Sequence, residues 1–218
     1  MNISAIPVLT IDGPAGAGKG SIAGMLADTL GWHLLDSGAI YRVAALAALR
    51  RGIDLHDEVA ISALIPQLVI EFKQGDAWLN GECVSSDIRN EACASATSKI
   101  AALPKVRSEL LALQRSFCKA PGLIADGRDM GTVVFPEAPY KFYLTASAEI
   151  RAERRLKQLS EQGLSAKLQD LIQDINARDE RDSNRPVAPL KPADDAVLVD
   201  TSPLTQAEVF AEVLRYIR

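Results

Sequence analysis

An α/β fold built on a parallel sheet with helices on both faces is what this sequence predicts, and three observations predict it. Five short apolar runs, at 7–12, 32–36, 122–126, 141–146 and 196–200, have the length and composition of buried strands. Helix-like stretches separate them, which is the alternation of a parallel sheet covered by helices. A glycine-rich stretch, Ile-Asp-Gly-Pro-Ala-Gly-Ala-Gly-Lys-Gly-Ser at 11–21, follows the first run and opens the first helix, at the sheet edge where such folds bind ligands.

The elements follow in order. Residues 7–12 end at glycine, and a helix is expected over 19–30. The second strand, 32–36, leads into a helix over 37–52, with Ser37 as its N-cap and Gly52 beyond its C-terminus. The runs 68–72, 77–79 and 83–85 are short strands joined by Gln-Gly-Asp and Asn-Gly-Glu turns, which reads as a small antiparallel insert. Helical sequence resumes near 90, and Pro104 opens a helix whose Val106, Leu110, Leu113 and Phe117 share one face. Strands at 122–126 and 141–146 follow, then a long charged stretch, 149–185, broken at 160–165. After the strand at 196–200, Thr205 and Glu208 form a capping box for the last helix.

Composition bounds the function. The 218 residues are 48% apolar and 24% charged, an ordinary globular mix with enough apolar sequence for a sizeable core. A net charge of −4 gives no electrostatic case for nucleic acid. No apolar run reaches the roughly 18 residues of a membrane span. Cys83, Cys93 and Cys118 have no metal-ligand spacing, and with no basic leader they read as reduced thiols of a cytoplasmic protein. His33 and His56 stand alone and read as structural or solvated. Among the cations arginine leads, 15 to 9 lysines, and arginine grips phosphate with two prongs.

The glycine stretch nearly matches G-x-x-x-x-G-K-[ST], a loop whose backbone N–H groups cradle phosphates at a helix N-terminus. Gly13, Gly18 and Lys19 fit it, but the next position is Gly20 and the hydroxyl of Ser21 comes one residue late. Lys19 is placed to reach β- and γ-phosphates. Mg²⁺ accompanying ATP would then be held through Ser21, or by phosphate oxygens and water, since Mg²⁺ keeps several waters. A tight glycine turn with no ligand is the bland alternative.

A kinase built on such a loop must grip a second phosphate, and the arginines supply candidates. Arg42 lies one turn into the second helix, Arg107 near the start of the 104–117 helix, and Arg128 after the third sheet strand. Arg178, Arg181 and Arg185 recur at helical spacing, so one face carries all three. Asp179 and Asp182 interleave with them, and the bland reading of that cluster is an exposed helix laced with local ion pairs. Two other functions stay open on the loop alone. One is a small-molecule kinase with another acceptor; the other is a regulatory nucleotide binder without turnover. A switch GTPase would place a hydroxyl at position 20 and carry an N-K-x-D stretch, and neither is present.

The stretches 34–42, 101–117, 122–136 and 178–190, with the G-K-G-S form of the loop, resemble bacterial cytidylate kinases of the nucleoside monophosphate kinase family. The resemblance runs over essentially the whole chain. It implies a single P-loop kinase domain over 1–218, with an acceptor-binding insert at about 65–100 and a helical lid at about 155–186. It implies transfer from ATP to CMP, with dCMP also accepted, by a monomer that binds neither nucleic acid nor membrane. Gly13, Pro14, Ala15, Gly16, Ala17, Gly18, Lys19, Gly20 and Ser21 would hold the ATP phosphates. Ser37, Arg42 and Arg128 would surround the acceptor's phosphate and sugar, and Asp126 would sit near the acceptor ribose or the transfer centre. Ser98, Arg107 and Arg185 would read the cytosine edge. Arg178 and Asp182 would contact the acceptor as the lid closes, and Arg154 would join Lys19, Asp126 and Arg128 in catalysis from the start of the lid. Residues 88–92, Ile-Arg-Asn-Glu-Ala, depart from the family's Ile-Arg-Thr-x-Glu-Val.

Overall fold

A computed structural model of the chain describes residues 6–73, 75–161 and 163–217. Gln74 of the first expected turn and Gln162 of the expected helix break lie outside the described residues. The chain divides into two compact units, one of Met1–Leu35 with Phe117–Arg218 and one of Asp36–Ser116.

The first unit carries the large sheet. Its strands are β1 (Val8–Asp12), β6 (Leu123–Asp126), β7 (Tyr140–Thr145) and β8 (Val197–Asp200), joined at one edge by β2 (His33–Asp36). Their order is β2-β6-β1-β7-β8, and β1 pairs in parallel with both β6 and β7. All five residues of β1 are buried, as a central strand covered on two sides requires. Helix α1 (Lys19–Leu30) lays Ile22 and Leu26 on β1 and β6, where they join Leu9, Ile11, Ile124, Phe142 and Leu144 in one core. Helix α8 (Gln206–Leu214) closes that core with Val209 and Val213. Thr205 and Glu208 form the expected capping box. Two long helices, α6 (Ala148–Glu161) and α7 (Leu168–Ser183), pack on each other between β7 and β8.

The register decides where chemistry can collect. Ile11 pairs with Asp126 and Asp12 with Tyr143, so β1 and β6 end within one residue of each other and β7 runs two residues further. The chain leaves β1 toward one side of the sheet and returns to β7 on the other, so this is a switch point of the topology.

The second unit is helical around a small sheet. It holds α2 (Ser37–Arg50), α3 (Glu58–Leu64), α4 (Glu91–Ile100) and α5 (Pro104–Ser116). Strands β3 (Ile70–Lys73), β4 (Asp76–Leu79) and β5 (Glu82–Cys83) form the expected antiparallel sheet, with Asn80 and Gly81 in left-handed geometry at the second turn. Helix α3 has no sequence-based expectation behind it. Its seven residues are too few for a clear period, and Asp57 caps it by accepting from the Ala60 N–H.

Two expectations need correction. Asp36, not Ser37, caps α2: its carboxylate accepts from the Ala39 N–H at 2.9 Å, which leaves the Ser37 hydroxyl for another partner. Helix α7 ends at Ser183, so Arg185 lies beyond it and does not share a helical face with Arg178 and Arg181. The Asn184 cap is where the period stops.

Candidate active site

The glycine loop is shaped by close packing and by its carbonyls. Gly13 has φ of 144°, and a Cβ there would overlap the Leu144 carbonyl oxygen of the neighbouring strand. Gly18 takes φ of 90° to cap α1. Between them, four successive carbonyls each accept a bond from a side chain. Lys19 Nζ donates to Pro14 at 2.8 Å, Arg151 to Ala15 at 3.1 Å, Arg154 to Gly16 at 3.5 Å and Thr201 Oγ1 to Ala17 at 3.1 Å. In a trans peptide the N–H points opposite to its carbonyl. Holding the carbonyls of 14–17 to side chains therefore turns the N–H groups of 15–18 the other way, into a ring of donors at the start of a helix.

Arg151 and Arg154 come from one face of α6. Arg151 is buried, pairs with the Asp179 carboxylate of α7 through two nitrogens and also donates to the Ala146 carbonyl at 2.9 Å. Arg154 grips Thr201 twice, at the hydroxyl at 3.0 Å and at the carbonyl at 2.6 Å. The expected role of Arg154 gains a location beside the loop. Arg151 and Thr201 were missed from the sequence, because a lone arginine in a charged helix and a threonine after a strand carry no motif.

Lys19 is buried, with its ammonium 4.0 Å from the Asp126 carboxylate at the end of β6. Burial pulls its pKa down to about 7, and the charge of Arg128 adds to that, while Asp126 and Asp12 oppose it. A Cβ on Gly20 would lie 3.4 Å from Asp126 Oδ2, so the missing hydroxyl of the loop leaves the face of that carboxylate clear. Ser21 is exposed one step further round the helix.

Arg128 is half-buried and donates through Nε to Asp182 at 3.1 Å. Asp182 and Asp179 thus each pair with an arginine from another segment, Arg128 and Arg151. Arg185 is buried and donates through Nε to the Asp182 carbonyl at 3.2 Å. Arg178 is half-buried on α7.

Asp12 is a third residue that the sequence reading passed over. Its two oxygens accept the N–H groups of Met130 and Gly131 at 2.8 and 2.7 Å, which pins a single π-helical turn, Met130–Val134, to the end of β1. Burial pushes the Asp12 carboxyl up to about 7 against those two bonds. The pinned turn directly follows Asp126, Gly127, Arg128 and Asp129, so it fixes where that segment ends.

In the second unit, Ser37, Ser98 and Arg107 are all buried polar residues. Arg107 lies over the Tyr41 ring at 5.7 Å and donates to the Ala101 carbonyl at 3.2 Å. Arg42 donates to the Ile88 carbonyl at 2.7 Å. Ser37 donates to Gln114, a buried glutamine of α5 that nothing in the sequence distinguished. No cluster of three or more His, Cys, Asp or Glu side chains able to hold a metal occurs among the described residues. Among them, no helix is long and apolar enough to cross a membrane.

Comparison with known proteins adds the family. The model of the family described as "Cytidylate kinase" matches residues 9–218. The chain is 57% identical over 217 aligned residues to a cytidylate kinase of Shewanella amazonensis, covering 97% of this chain and 94% of that one. It is 55% identical to a cytidylate kinase of Shewanella baltica, with the same coverage. One from Shewanella frigidimarina is 54% identical, with 97% and 95% covered.

Proposed function

This chain belongs to the cytidylate kinase family, and on that premise we propose how its residues divide the work of moving a phosphoryl group from ATP to CMP. The reaction is ATP + CMP → ADP + CDP. The observation that carries the assignment of the donor site is the loop at 13–21, whose carbonyls 14–17 are each bonded to a side chain, leaving inward donors for the ATP phosphates.

Lys19 supplies the mobile positive charge. Its lowered pKa belongs to a buried amine among arginines; a polyphosphate beside it favours the charged form. The acceptor phosphate is already an anion, so no strong general base is needed, and the protein's work is positioning and charge neutralisation. Asp126, Arg128 and Arg154 complete the catalytic set. Ser37, Arg42, Ser98, Arg107, Arg128, Arg178, Asp182 and Arg185 hold the acceptor, CMP or dCMP. The residues at about 65–100 act as an acceptor-binding insert and those at about 155–186 as a lid that excludes water, within one P-loop kinase domain.

Mg²⁺ bound with ATP fits the oxygens present. The Asp126 carboxylate beside Gly20 and the Ser21 hydroxyl are hard ligands, which would hold it directly or through water. When bound, it neutralises charge on the phosphate oxygens. We further propose a monomeric cytoplasmic enzyme whose partners are these small molecules. The decisive experiment is release of ADP from ATP with CMP, dCMP, UMP, AMP or GMP as acceptor. CMP-dependent release well above the rate without acceptor is expected. Release that no CMP stimulates would leave a nucleotide binder, and preference for another acceptor would leave a different kinase.

A further inference from the structure

We propose that Asp179, although it stands on α7 between the residues assigned to the acceptor, Arg178 and Asp182, is a positioning residue for ATP, acting through Arg151 on the glycine loop. The proposal rests on the reading that the loop at 13–21 holds ATP and that CMP is the acceptor. Asp182 pairs with Arg128, which follows β6, whereas Asp179, one turn earlier, pairs with Arg151 of α6. The Arg151 side chain is 5% exposed and that of Asp179 25%. Arg151 Nη1 donates both to the Ala15 carbonyl and to Asp179 Oδ1, each at 3.1 Å, and Nη2 donates to the other carboxylate oxygen. Nε is held by the Ala146 carbonyl at 2.9 Å. One nitrogen thus carries the loop bond and half of a two-pronged carboxylate pair, and such a pair fixes the plane of the guanidinium. The stem of Arg151 touches the loop as well: a Cβ on Gly16 would lie 3.1 Å from Arg151 Cβ and 3.4 Å from Cγ. Holding the Ala15 carbonyl directs the Gly16 N–H the opposite way, toward the phosphates.

The sign of the effect separates positioning from charge. ATP is a polyanion, and a carboxylate behind its loop repels it. On charge alone, removing Asp179 would tighten ATP, the more so because it frees a guanidinium. Positioning gives the opposite sign. Without the carboxylate the guanidinium plane is no longer fixed, the bond to Ala15 weakens and the loop donors lose their preset direction. The acceptor is spared, because the pair of Asp182 with Arg128 is separate.

The experiment measures KM for ATP at saturating CMP, and KM for CMP at saturating ATP, in wild type, Asp179→Asn, Arg151→Met and the double variant. Asp179→Asn conserves shape and is expected to raise KM for ATP about three- to tenfold, with KM for CMP changed less than twofold. Arg151→Met keeps the stem against Gly16 and loses the guanidinium, and it should show the same split. In that background Asp179→Asn should add less than a further twofold, since its route to the loop is gone. An unchanged or lowered KM for ATP in Asp179→Asn overturns the proposal. So does a rise in KM for CMP as large as that for ATP, which would make Asp179 a support of the acceptor grip or of α7 as a whole. Full additivity of the two substitutions overturns the route through Arg151. If Asp179→Asn does not fold, Arg151→Met and the double variant, in which no buried guanidinium is left uncompensated, decide by the same split. A wild-type enzyme that releases no ADP in response to CMP overturns the proposed function, and this inference with it.

Discussion

Lys19 rests its ammonium on the carbonyl of Pro14, five residues earlier in its own loop, at 2.8 Å. The same nitrogen is 4.0 Å from Asp126. It thus stands between the loop it stabilises and the strand end beside it, buried and with a depressed pKa. Lys19→Met keeps the aliphatic stem and removes the charge. Turnover should fall at least about a hundredfold, a loss of several kcal/mol of transition-state stabilisation, with the circular dichroism of the fold unchanged. A folded variant retaining more than about a tenth of wild-type kcat would contradict this role.

Binding of ATP should take up a proton. Free Lys19 titrates near 7 because burial and Arg128 disfavour its charged form. Phosphates arriving beside it reverse that balance. At a pH of about 8, calorimetric titration of ATP in buffers of different ionisation enthalpy should show net uptake approaching one proton, absent in Lys19→Met. Proton release, or identical uptake in the variant, would place the titration elsewhere.

Stability of the ligand-free protein should be lowest near neutrality as far as two groups govern it. Asp12 is raised from 3.8 to about 7, so the folded state holds more protons than the unfolded one between those values and stability falls with rising pH there. Lys19 is lowered from 10.5 to about 7, so the unfolded state holds more protons above 7 and stability rises again with pH. Urea unfolding at several pH values should trace this shallow minimum. Lys19→Met should flatten its alkaline limb. Retention of the full alkaline slope in that variant would show that Lys19 is not its source.

Much of this was legible in the sequence, and what escaped shares a physical character. The strands around Ile11, Ile124 and Phe142 announce themselves because a twice-covered strand must be apolar throughout. The loop is legible because glycine is required where Leu144 crowds Gly13. Asp12, Arg151, Thr201 and Gln114 act through partners 118, 136, 184 and 77 residues away, and no local period encodes such a pairing. The end of α7 before Arg185 was hidden for the opposite reason. The helical spacing of arginines continues past a cap that only the backbone reveals.

The support of the loop carbonyls should be measurable apart from the chemistry. The Thr201 hydroxyl links Ala17 to Arg154, donating to the Ala17 carbonyl and accepting from the Arg154 guanidinium. Thr201→Val breaks both bonds while keeping the shape. KM for ATP should rise about three- to tenfold, with a smaller change in KM for CMP. Arg154→Ala should do the same, and the two together should cost less than the sum, because they cut one connected link. Strict additivity in ATP titrations at saturating CMP would mean that the two residues act independently.

Acceptor grip and donor grip should separate cleanly at Arg42. One of its nitrogens is occupied by the Ile88 carbonyl at 2.7 Å, which fixes the plane of the guanidinium and leaves its other donors for a ligand. A planar fork held in this way suits two phosphate oxygens at once. Arg42→Ala should therefore raise KM for CMP by about tenfold or more while KM for ATP changes less than twofold, since hydrogen bonds to charged groups contribute about 1.5–3 kcal/mol. Arg42→Lys should recover little of the loss. An ammonium is a point charge: bonded to Ile88 it has no second prong in the guanidinium plane, and released from Ile88 it strands that carbonyl. If Arg42→Ala weakens ATP and spares CMP, the residue belongs to the donor site. If Arg42→Lys restores wild-type KM for CMP, charge alone suffices and the fixed fork is not what holds the acceptor.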